Sequence, residues 1–190
     1  MATEIELKAH VEEAKSLRSL LSEKAEFKFT FEKEDTYFFP TRLRLRSERR
    51  TLPDETEEFK TLLTRKQKEV RDGIEFNDEK EFEIRPSAHG TAAEFRELLE
   101  ALGLRPLSSK RKRGWTFFQD DITAELLEVT GLGWFLELEI LAENNNDSIE
   151  TNKRFEEERQ RLLDFLDSLG IPREAIESRF YSEMLNNKVC

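Results

Sequence analysis

Cysteine is almost absent from this sequence, because the single one, Cys190, is the last of 190 residues. One cysteine excludes an intramolecular disulfide and a cysteine-rich zinc site. The two histidines, His10 and His89, lack the spacing of a zinc motif, and we interpret them as surface or loop residues. A Ser-His-Asp or Cys-His arrangement is missing as well. The sequence therefore gives no indication of zinc chemistry or of a nucleophilic side chain.

Long apolar runs are also missing. Nowhere do eighteen apolar residues follow one another, and the segment from Met1 to Glu4 has neither the basic nor the apolar part of a signal peptide. We therefore expect a soluble cytoplasmic protein that does not bind a membrane.

Positive charge is in deficit, with a formal net charge of -10. Affinity for a nucleic-acid backbone comes from a surplus of Lys and Arg, so a nucleic-acid partner is not predicted. The basic run from Lys110 to Arg113 does not change this expectation, because it lies in a strand pattern within an acidic chain. Any bound polyanion is expected to be small.

The composition indicates one folded domain over residues 1–190. Apolar residues make up 37% of the chain, which is enough for one core, and the fifteen Phe are too many for a disordered chain. Charged residues make up 38%, so the excess charge must lie on a folded scaffold.

Apolar residues at helical spacing predict three helices and a short tail helix. The second has a capping-box pattern at Thr91 and Glu94 and a stop at Gly103. The predicted ranges are Val11–Leu21, about Thr91–Leu102, about Asn152–Leu169 and, for the tail, about Ala175–Leu185.

Between the helices, apolar and charged residues alternate with the period of two that is typical of strands. The segments at Phe27–Phe31, Leu43–Arg46 and Trp134–Ile140 show it best. The polar stretch Glu48–Glu58 and the run Asn144–Asp147 are interpreted as loops. Many short antiparallel strands with inserted helices predict an α+β fold around a barrel or a strongly curved sheet.

Like charges repeat at period two on several of these strands. The acidic pairs are Glu4 and Glu6, Glu81 and Glu83, and Glu137 and Glu139, and the basic series is Arg42, Arg44 and Arg46. One such strand alone is most simply a half-buried strand with a solvated face. Taken together, the like charges gain little on an open sheet, whereas a closed barrel would place them in one lumen. Such a lumen suits Mg²⁺ or Mn²⁺ bound by carboxylates, beside phosphate oxygens bound by Arg and Lys.

The sequence resembles the CYTH superfamily of triphosphate tunnel metalloenzymes in an ordered series of motifs over nearly the whole chain. The matching segments are Glu4 to Lys8 (ExExK), Tyr37 and Phe38 with Leu43 to Arg46 (YF, then LRxR), Leu63 to Lys66 (LTxK), Glu81 to Glu83, Lys110 to Trp115 (KxRxxY), Gly131 to Glu139 (GLGxFxExE) and Arg179 to Leu185 (RSYxxLL).

The resemblance implies an eight-stranded antiparallel β-barrel, the triphosphate tunnel, with helices packed outside. It implies a metal, Mg²⁺ or Mn²⁺, bound by Glu4, Glu6, Glu137 and Glu139, and phosphates bound by Lys8, Arg44, Arg46, Lys66 and Lys110 or Lys112. Glu4, Glu6 and Lys8 are the implied catalytic residues. Further candidates are Arg42, Glu81, Glu83, Glu125 and Arg179.

One position departs from the family pattern. The family usually has an aspartate four residues before the first glycine of GLG, where this sequence has Leu127. Glu125, Glu128 and Asp121 are the candidates to replace that carboxylate.

The resemblance implies a triphosphate substrate and leaves three functions open. Class IV adenylyl cyclase, which converts ATP to cyclic AMP and pyrophosphate, is favoured by the Gly131–Glu139 and Arg179–Leu185 segments. The first alternative is hydrolysis of the terminal phosphate of tripolyphosphate or thiamine triphosphate, since the His-Phe pair that precedes ExExK in cyclases is absent. The second is a non-catalytic nucleotide-binding or polyphosphate-binding module. Class IV cyclases also suggest a homodimer.

Overall fold

The computed structural model of the chain describes residues 2–41, 43–71, 73–85, 92–143 and 148–186. These residues form eight strands and four α-helices. The strands are β1 (Ala2–Val11), β2 (Glu26–Phe39), β3 (Leu43–Thr51), β4 (Glu57–Arg71), β5 (Ile74–Glu83), β6 (Arg105–Gln119), β7 (Ile122–Val129) and β8 (Gly133–Glu143). The helices are α1 (Ala14–Lys24), α2 (Ala92–Ala101), α3 (Ser148–Ser168) and α4 (Tyr181–Asn186), with a 3₁₀ turn at Arg173–Ala175.

The strands form one closed barrel in the order β1-β5-β4-β3-β2-β6-β7-β8. Every neighbouring pair is antiparallel, and β8 closes the barrel by pairing with β1 from Ala2↔Glu143 to Val11↔Trp134. The predicted eight-stranded antiparallel barrel and the α+β class are both confirmed.

The barrel separates apolar from charged side chains because successive residues of a strand point to opposite faces. Ile5 and Leu7 of β1 are fully buried and pack with the apolar face of α3, represented by Leu162 and Leu166. The intervening Glu4, Glu6 and Lys8 point into the barrel. Burial of the outer apolar face under helices thus fixes which side chains line the lumen.

Helix α2 covers a second apolar patch on the opposite side of the barrel. Leu99 of this helix packs with Phe38 of β2 and Leu45 of β3 in a small buried cluster. This contact fixes the outward direction of Leu45, so Arg44 and Arg46 on either side of it point inward.

The predicted helices exist, with shifted ends. Helix α1 begins at Ala14 because Val11 continues β1 and pairs with Trp134. Helix α2 is found where it was predicted, although Thr91 lies outside the described residues. Helix α3 begins at Ser148, and the tail is divided into the 3₁₀ turn and α4.

The predicted loop at Glu48–Glu58 is wrong in extent. Strand β3 continues to Thr51 and β4 begins at Glu57, so the connection is only residues 52–56, with a hydrogen bond from the Leu52 N–H to the Thr56 carbonyl. The polar sequence reflects a charged lumen, because the Glu48 side chain is buried and accepts a hydrogen bond from Arg50. The predicted Asn144–Asp147 loop lies outside the described residues.

Within the described ranges, none of the helices combines the length and apolar character that crossing a bilayer requires.

Candidate functional site

The acidic pair of β1 meets a lysine inside the barrel. The Lys66 Nζ atom, on β4, lies 2.6 Å from Glu4 Oε1, 2.9 Å from Glu6 Oε2 and 3.0 Å from Glu79 Oε1. Glu139 of β8 is the cross-strand partner of Glu6. Strands β1, β5 and β8 thus contribute four carboxylates to one cluster, and β4 contributes an ammonium group that contacts three of them, Glu4, Glu6 and Glu79.

If all of them were ionised, the carboxyl groups of this cluster would carry more negative charge than Lys66 compensates. Burial, and the charges of neighbouring carboxylates, raise the pKa of Glu4 well above its usual range despite Lys66. Burial, together with Glu6 and Glu125, raises the pKa of Glu139 to about 7. Burial also opposes ionisation of Glu6, but the ammonium groups of Lys66, Lys112 and Lys8 prevail and lower its pKa. The cluster therefore favours additional positive charge.

The donor atoms of the cluster fit a hard divalent cation. Carboxylate oxygens are the ligands that Mg²⁺ and Mn²⁺ prefer. The side-chain amide of Asn77 donates a hydrogen bond of 3.0 Å to Glu4 Oε1. The Asn77 Oδ1 atom is buried without a hydrogen-bond partner in the described part of the protein. As arranged, no three acidic or histidine side chains among the described residues converge as a metal site does. Lys66 lies between the carboxylates instead.

Three basic side chains of β3 and β6 form a second group in the lumen, which we call the basic wall: Arg44, Arg46 and Lys110. The Arg46 Nε and Nη2 atoms donate to the two Asp35 carboxylate oxygens at 2.6 and 3.0 Å, and Lys110 Nζ lies 3.6 Å from the same carboxylate. Burial alone would raise the pKa of Asp35, but Arg46, Lys110 and Arg44 hold it well below its usual range. Arg44 donates a hydrogen bond of 3.1 Å to the Thr64 hydroxyl. Its buried Nε has no hydrogen-bond partner in the described residues.

Two further lysines connect the basic and acidic sides. Lys112 Nζ donates to both Glu137 oxygens, at 2.8 and 2.9 Å, and Lys8 Nζ lies 3.4 Å from Glu75 Oε1. The side chains of Lys8 and Lys112 are 3% and 6% exposed. Lys110 and Lys112 therefore both face the lumen, since they are two residues apart on β6.

The three candidates to replace the missing aspartate, Glu125, Glu128 and Asp121, point in different directions in the structure. Glu125 points into the lumen, where its oxygens accept from Lys33 Nζ at 2.6 and 2.7 Å. Glu128 lies on the outer face beside Arg113, and Asp121 pairs with Arg161 at the surface. Of the three candidates, Glu125 alone is a lumen carboxylate. Leu127 has the same orientation as Glu125, two residues along, and is fully buried in an apolar cluster.

We expect Glu125→Gln to lower turnover of a triphosphate by roughly 10–100-fold, as the loss of a supporting carboxylate at a metal site does. Glu128→Gln, on the opposite face of the same strand, should leave turnover unchanged. Steady-state phosphate release from the two variants checks this, and equal rates would remove Glu125 from the site.

Some predicted site residues lie away from this centre. Glu81 lies at the margin of the lumen cluster. It accepts a hydrogen bond of 3.0 Å from the Thr64 hydroxyl, and its side chain is 41% exposed. Glu83 is 45% exposed and its nearest ion-pair partner is Arg85, so it does not join the cluster. Arg42 lies outside the described residues.

Arg179 was a further candidate for the site, and the structure places its side chain outside the lumen. Its side chain is 56% exposed and pairs with Glu177. Only its backbone carbonyl points inward, where it accepts a hydrogen bond of 2.7 Å from Lys8 Nζ. The reason is the docking of residues 176–179 on β1, through an isolated bridge between Ala9 and Ile176 and a hydrogen bond from the Glu177 N–H to the Lys8 carbonyl.

Glu177 attaches this segment in a pH-dependent way. Hydrogen bonds from the Arg179 side chain and backbone, and one from His10, lower the pKa of Glu177 to about 2. The ionised carboxylate therefore stabilises the fold above about pH 4.5, and this contribution is lost as the pH falls towards about 2. We expect Glu177→Gln to cost at most about 1 kcal/mol in unfolding free energy at pH 7, because the Arg179 side chain is largely in solvent. Urea unfolding at several pH values checks this, and a cost that does not shrink in acid would contradict it.

Several lumen residues are absent from the sequence-based prediction. The alternation on β2, β3 and β5 continues to them from residues that were singled out, but each stands where the motifs of the family were not recognised. They are Lys33, Asp35, Glu48, Glu75, Asn77 and Glu79.

The sequence matches the CYTH domain family over residues 2–181. The chain belongs to the CYTH family. Members of this family are adenylyl cyclases or triphosphatases that bind triphosphate substrates and depend on a metal. The closed eight-stranded barrel is consistent with membership of this family.

Solved structures resemble this CYTH chain along its whole length. The PH1012 protein of Pyrococcus horikoshii has 28% identity and a TM-score of 0.73, covering 96% of this chain and 99% of its own. A Vibrio parahaemolyticus protein provisionally named an adenylate cyclase has 19% identity and a TM-score of 0.69, covering 96% of this chain and 97% of its own.

A third solved structure comes from Hippeastrum. That protein, provisionally named an adenylyl cyclase, has a dominant triphosphatase activity; its identity is 18% and its TM-score 0.59, covering 99% of this chain and 96% of its own. At these identities the Vibrio and Hippeastrum likenesses show the fold alone. No curated protein matches the sequence significantly.

Proposed function

We propose that this CYTH protein is a metal-dependent triphosphatase that hydrolyses the terminal phosphate of a small triphosphate. The observation that supports it most is the convergence of an acidic cluster and a basic wall in one lumen. Carboxylates of β1, β7 and β8 suit a divalent cation, and the Arg and Lys side chains of β3, β4 and β6 suit phosphate oxygens. A triphosphate with its cation satisfies both signs of charge at once.

Phosphoryl transfer needs mainly positioning and charge neutralisation, which these residues supply without a nucleophilic side chain. Arg44 and Arg46 bind and orient the phosphate chain, and the unpartnered Nε of Arg44 is a donor available to it. Lys66 exchanges its carboxylate partners for phosphate oxygens when the substrate enters.

Glu4, Glu6, Glu137 and Glu139 would bind the cation, with Glu125 in support. A bound Mg²⁺ or Mn²⁺ supplies Lewis-acid polarisation of the phosphoryl oxygens and activation of the attacking water. Lys8 and Lys112 adjoin these carboxylates and stabilise the charge that develops on the phosphate oxygens.

The second candidate is the class IV cyclase reaction, in which the ribose 3′-hydroxyl of ATP attacks the α-phosphorus. The GLG-containing strand and the tail segment favour it, since both resemble cyclase-type members. Hydrolysis is preferred because the described lumen offers mostly charged groups, which recognise phosphates, and few neutral donors or acceptors that would recognise a base.

Incubation of the purified protein with tripolyphosphate, thiamine triphosphate and ATP, each with Mg²⁺ or Mn²⁺, separates the candidates. We expect release of inorganic phosphate, and no release in EDTA. Cyclic AMP with pyrophosphate would establish the cyclase instead. Binding without any turnover would leave only a polyphosphate-binding module.

A further inference from the structure

An aromatic ring lies among the lumen lysines. Tyr181, the first residue of α4, is 5% exposed although it belongs to the C-terminal segment. The Nζ atoms of Lys8, Lys112 and Lys110 lie 4.6, 4.7 and 5.2 Å from the centre of its ring. These three ammonium groups come from two strands, β1 and β6, and share one aromatic side chain.

The ring itself also packs against apolar side chains. Phe135 packs against it edge to face at a centroid distance of 4.9 Å, and Met184 and Leu127 complete the same apolar cluster. The hydroxyl is buried without a hydrogen-bond partner among the described residues, and burial, with the charge of nearby Glu137, raises the pKa of Tyr181 well above its usual range. Tyr181 is therefore a neutral, fixed phenol.

The three ammonium groups repel one another, and each is largely removed from water. The electron-rich face of an aromatic ring attracts cations within about 6 Å of its centre, most strongly where water is excluded. One ring at a fixed position therefore favours the arrangement in which all three ammonium groups point towards the same region of the lumen.

The same segment fixes Lys8 a second time. The Arg179 carbonyl, two residues before Tyr181, accepts a hydrogen bond of 2.7 Å from Lys8 Nζ. Backbone and ring of one segment thus act on the same ammonium group.

We propose that Tyr181 is a positioning residue that holds Lys8, Lys110 and Lys112 in the arrangement that binds the phosphate chain. This role rests on the proposed function of the lumen. It assigns to the C-terminal helix a part in substrate affinity, whereas a plain core aromatic would contribute to stability alone.

Three variants separate these two roles. Tyr181→Phe keeps the ring and loses the hydroxyl, whereas Tyr181→Leu keeps an apolar side chain and loses the aromatic face. Phe117→Leu is the matched control, because Phe117 is fully buried, packs edge to face with Phe27, and lies in the outer core away from the lysines.

The measurement is calorimetric binding of inorganic tripolyphosphate in EDTA, together with the midpoint of thermal unfolding. We expect Tyr181→Leu to raise Kd about tenfold, corresponding to loss of about 1.4 kcal/mol of binding. Tyr181→Phe should remain within about twofold of the wild type, and so should Phe117→Leu, although Phe117→Leu lowers the unfolding midpoint at least as much as Tyr181→Leu.

Equal affinity of the wild type and Tyr181→Leu would overturn the positioning role and leave the proposed function standing. An equal loss of affinity in Phe117→Leu would also overturn it, because the effect would then follow stability. If the wild type bound tripolyphosphate neither in EDTA nor with Mg²⁺, the proposed function would fall and the positioning role with it; if it bound only with Mg²⁺, the variants are compared in Mg²⁺ with the same expected ratios.

Discussion

Replacement of Glu6 by Gln is expected to lower triphosphate turnover by about 10³-fold, the order of loss seen when one preorganised electrostatic group is removed from an active site. Glu6 accepts a hydrogen bond of 2.9 Å from Lys66, and the charges of Lys66, Lys112 and Lys8 lower its pKa against the effect of burial. Gln has the same shape and no charge, so a cation loses a ligand while the barrel keeps its packing. Phosphate release and far-UV circular dichroism measure the two effects.

Glu12→Gln is the control for this variant, because Glu12 follows β1 directly and is exposed. We expect it to retain wild-type turnover. Wild-type turnover in Glu6→Gln would remove the β1 carboxylate from the catalytic centre.

The largest effect on stability is expected from Asp35→Ala. The Asp35 side chain is 1% exposed and is the bidentate partner of Arg46, with Lys110 also nearby. Its removal leaves a buried guanidinium without its anion, which typically costs about 3–5 kcal/mol. Urea unfolding of the wild type and the variant at pH 7 measures this difference in unfolding free energy.

Glu34→Ala tests whether the cost arises from burial. Glu34 is the next residue of β2, points outward, and pairs with Arg111 while 48% exposed. Exposed ion pairs contribute about 0–1 kcal/mol. A similar loss of stability in both variants would show that position in the lumen does not matter.

The sequence was sufficient to predict the barrel because its signal is local. From Glu4 to Lys8 on β1 and from Leu136 to Ile140 on β8, apolar and charged residues alternate, which defines the two faces before any pairing is known. That the sheet closes into an eight-stranded barrel was predicted from the ordered motifs, through their resemblance to the family. The inward orientation of Arg44 and Arg46 follows from the same alternation and agrees with the burial of Leu45 between them.

Two features of the lumen, the place of Glu48 and the choice between Glu125 and Glu128, depend on long-range contacts. Glu48 lies in a polar stretch with a proline close behind it, so a loop was the simpler interpretation until pairing with β4 defined the strand. Glu128 and Glu125 are equivalent by composition, and only the register of β7 against β6 separates them. In both cases the neighbouring residues alone allow two interpretations, and the strand pairing decides between them.

The tail shows the same limitation. Arg179 and Tyr181 both belong to the recognised tail motif, and a charged residue was the natural candidate to reach a phosphate. Docking of the segment on β1 turns the guanidinium outward and the phenol inward, which no local periodicity predicts.

The most direct test of the account is a crystal structure of the protein with Mn²⁺ and tripolyphosphate, with manganese located by anomalous scattering. We predict manganese inside the barrel within about 2.1–2.3 Å of Glu4 or Glu6 oxygens, and phosphate oxygens in contact with Arg44 and Arg46. Ligands found only on the outer surface, with Lys66 still between the carboxylates at saturating concentrations, would contradict the account.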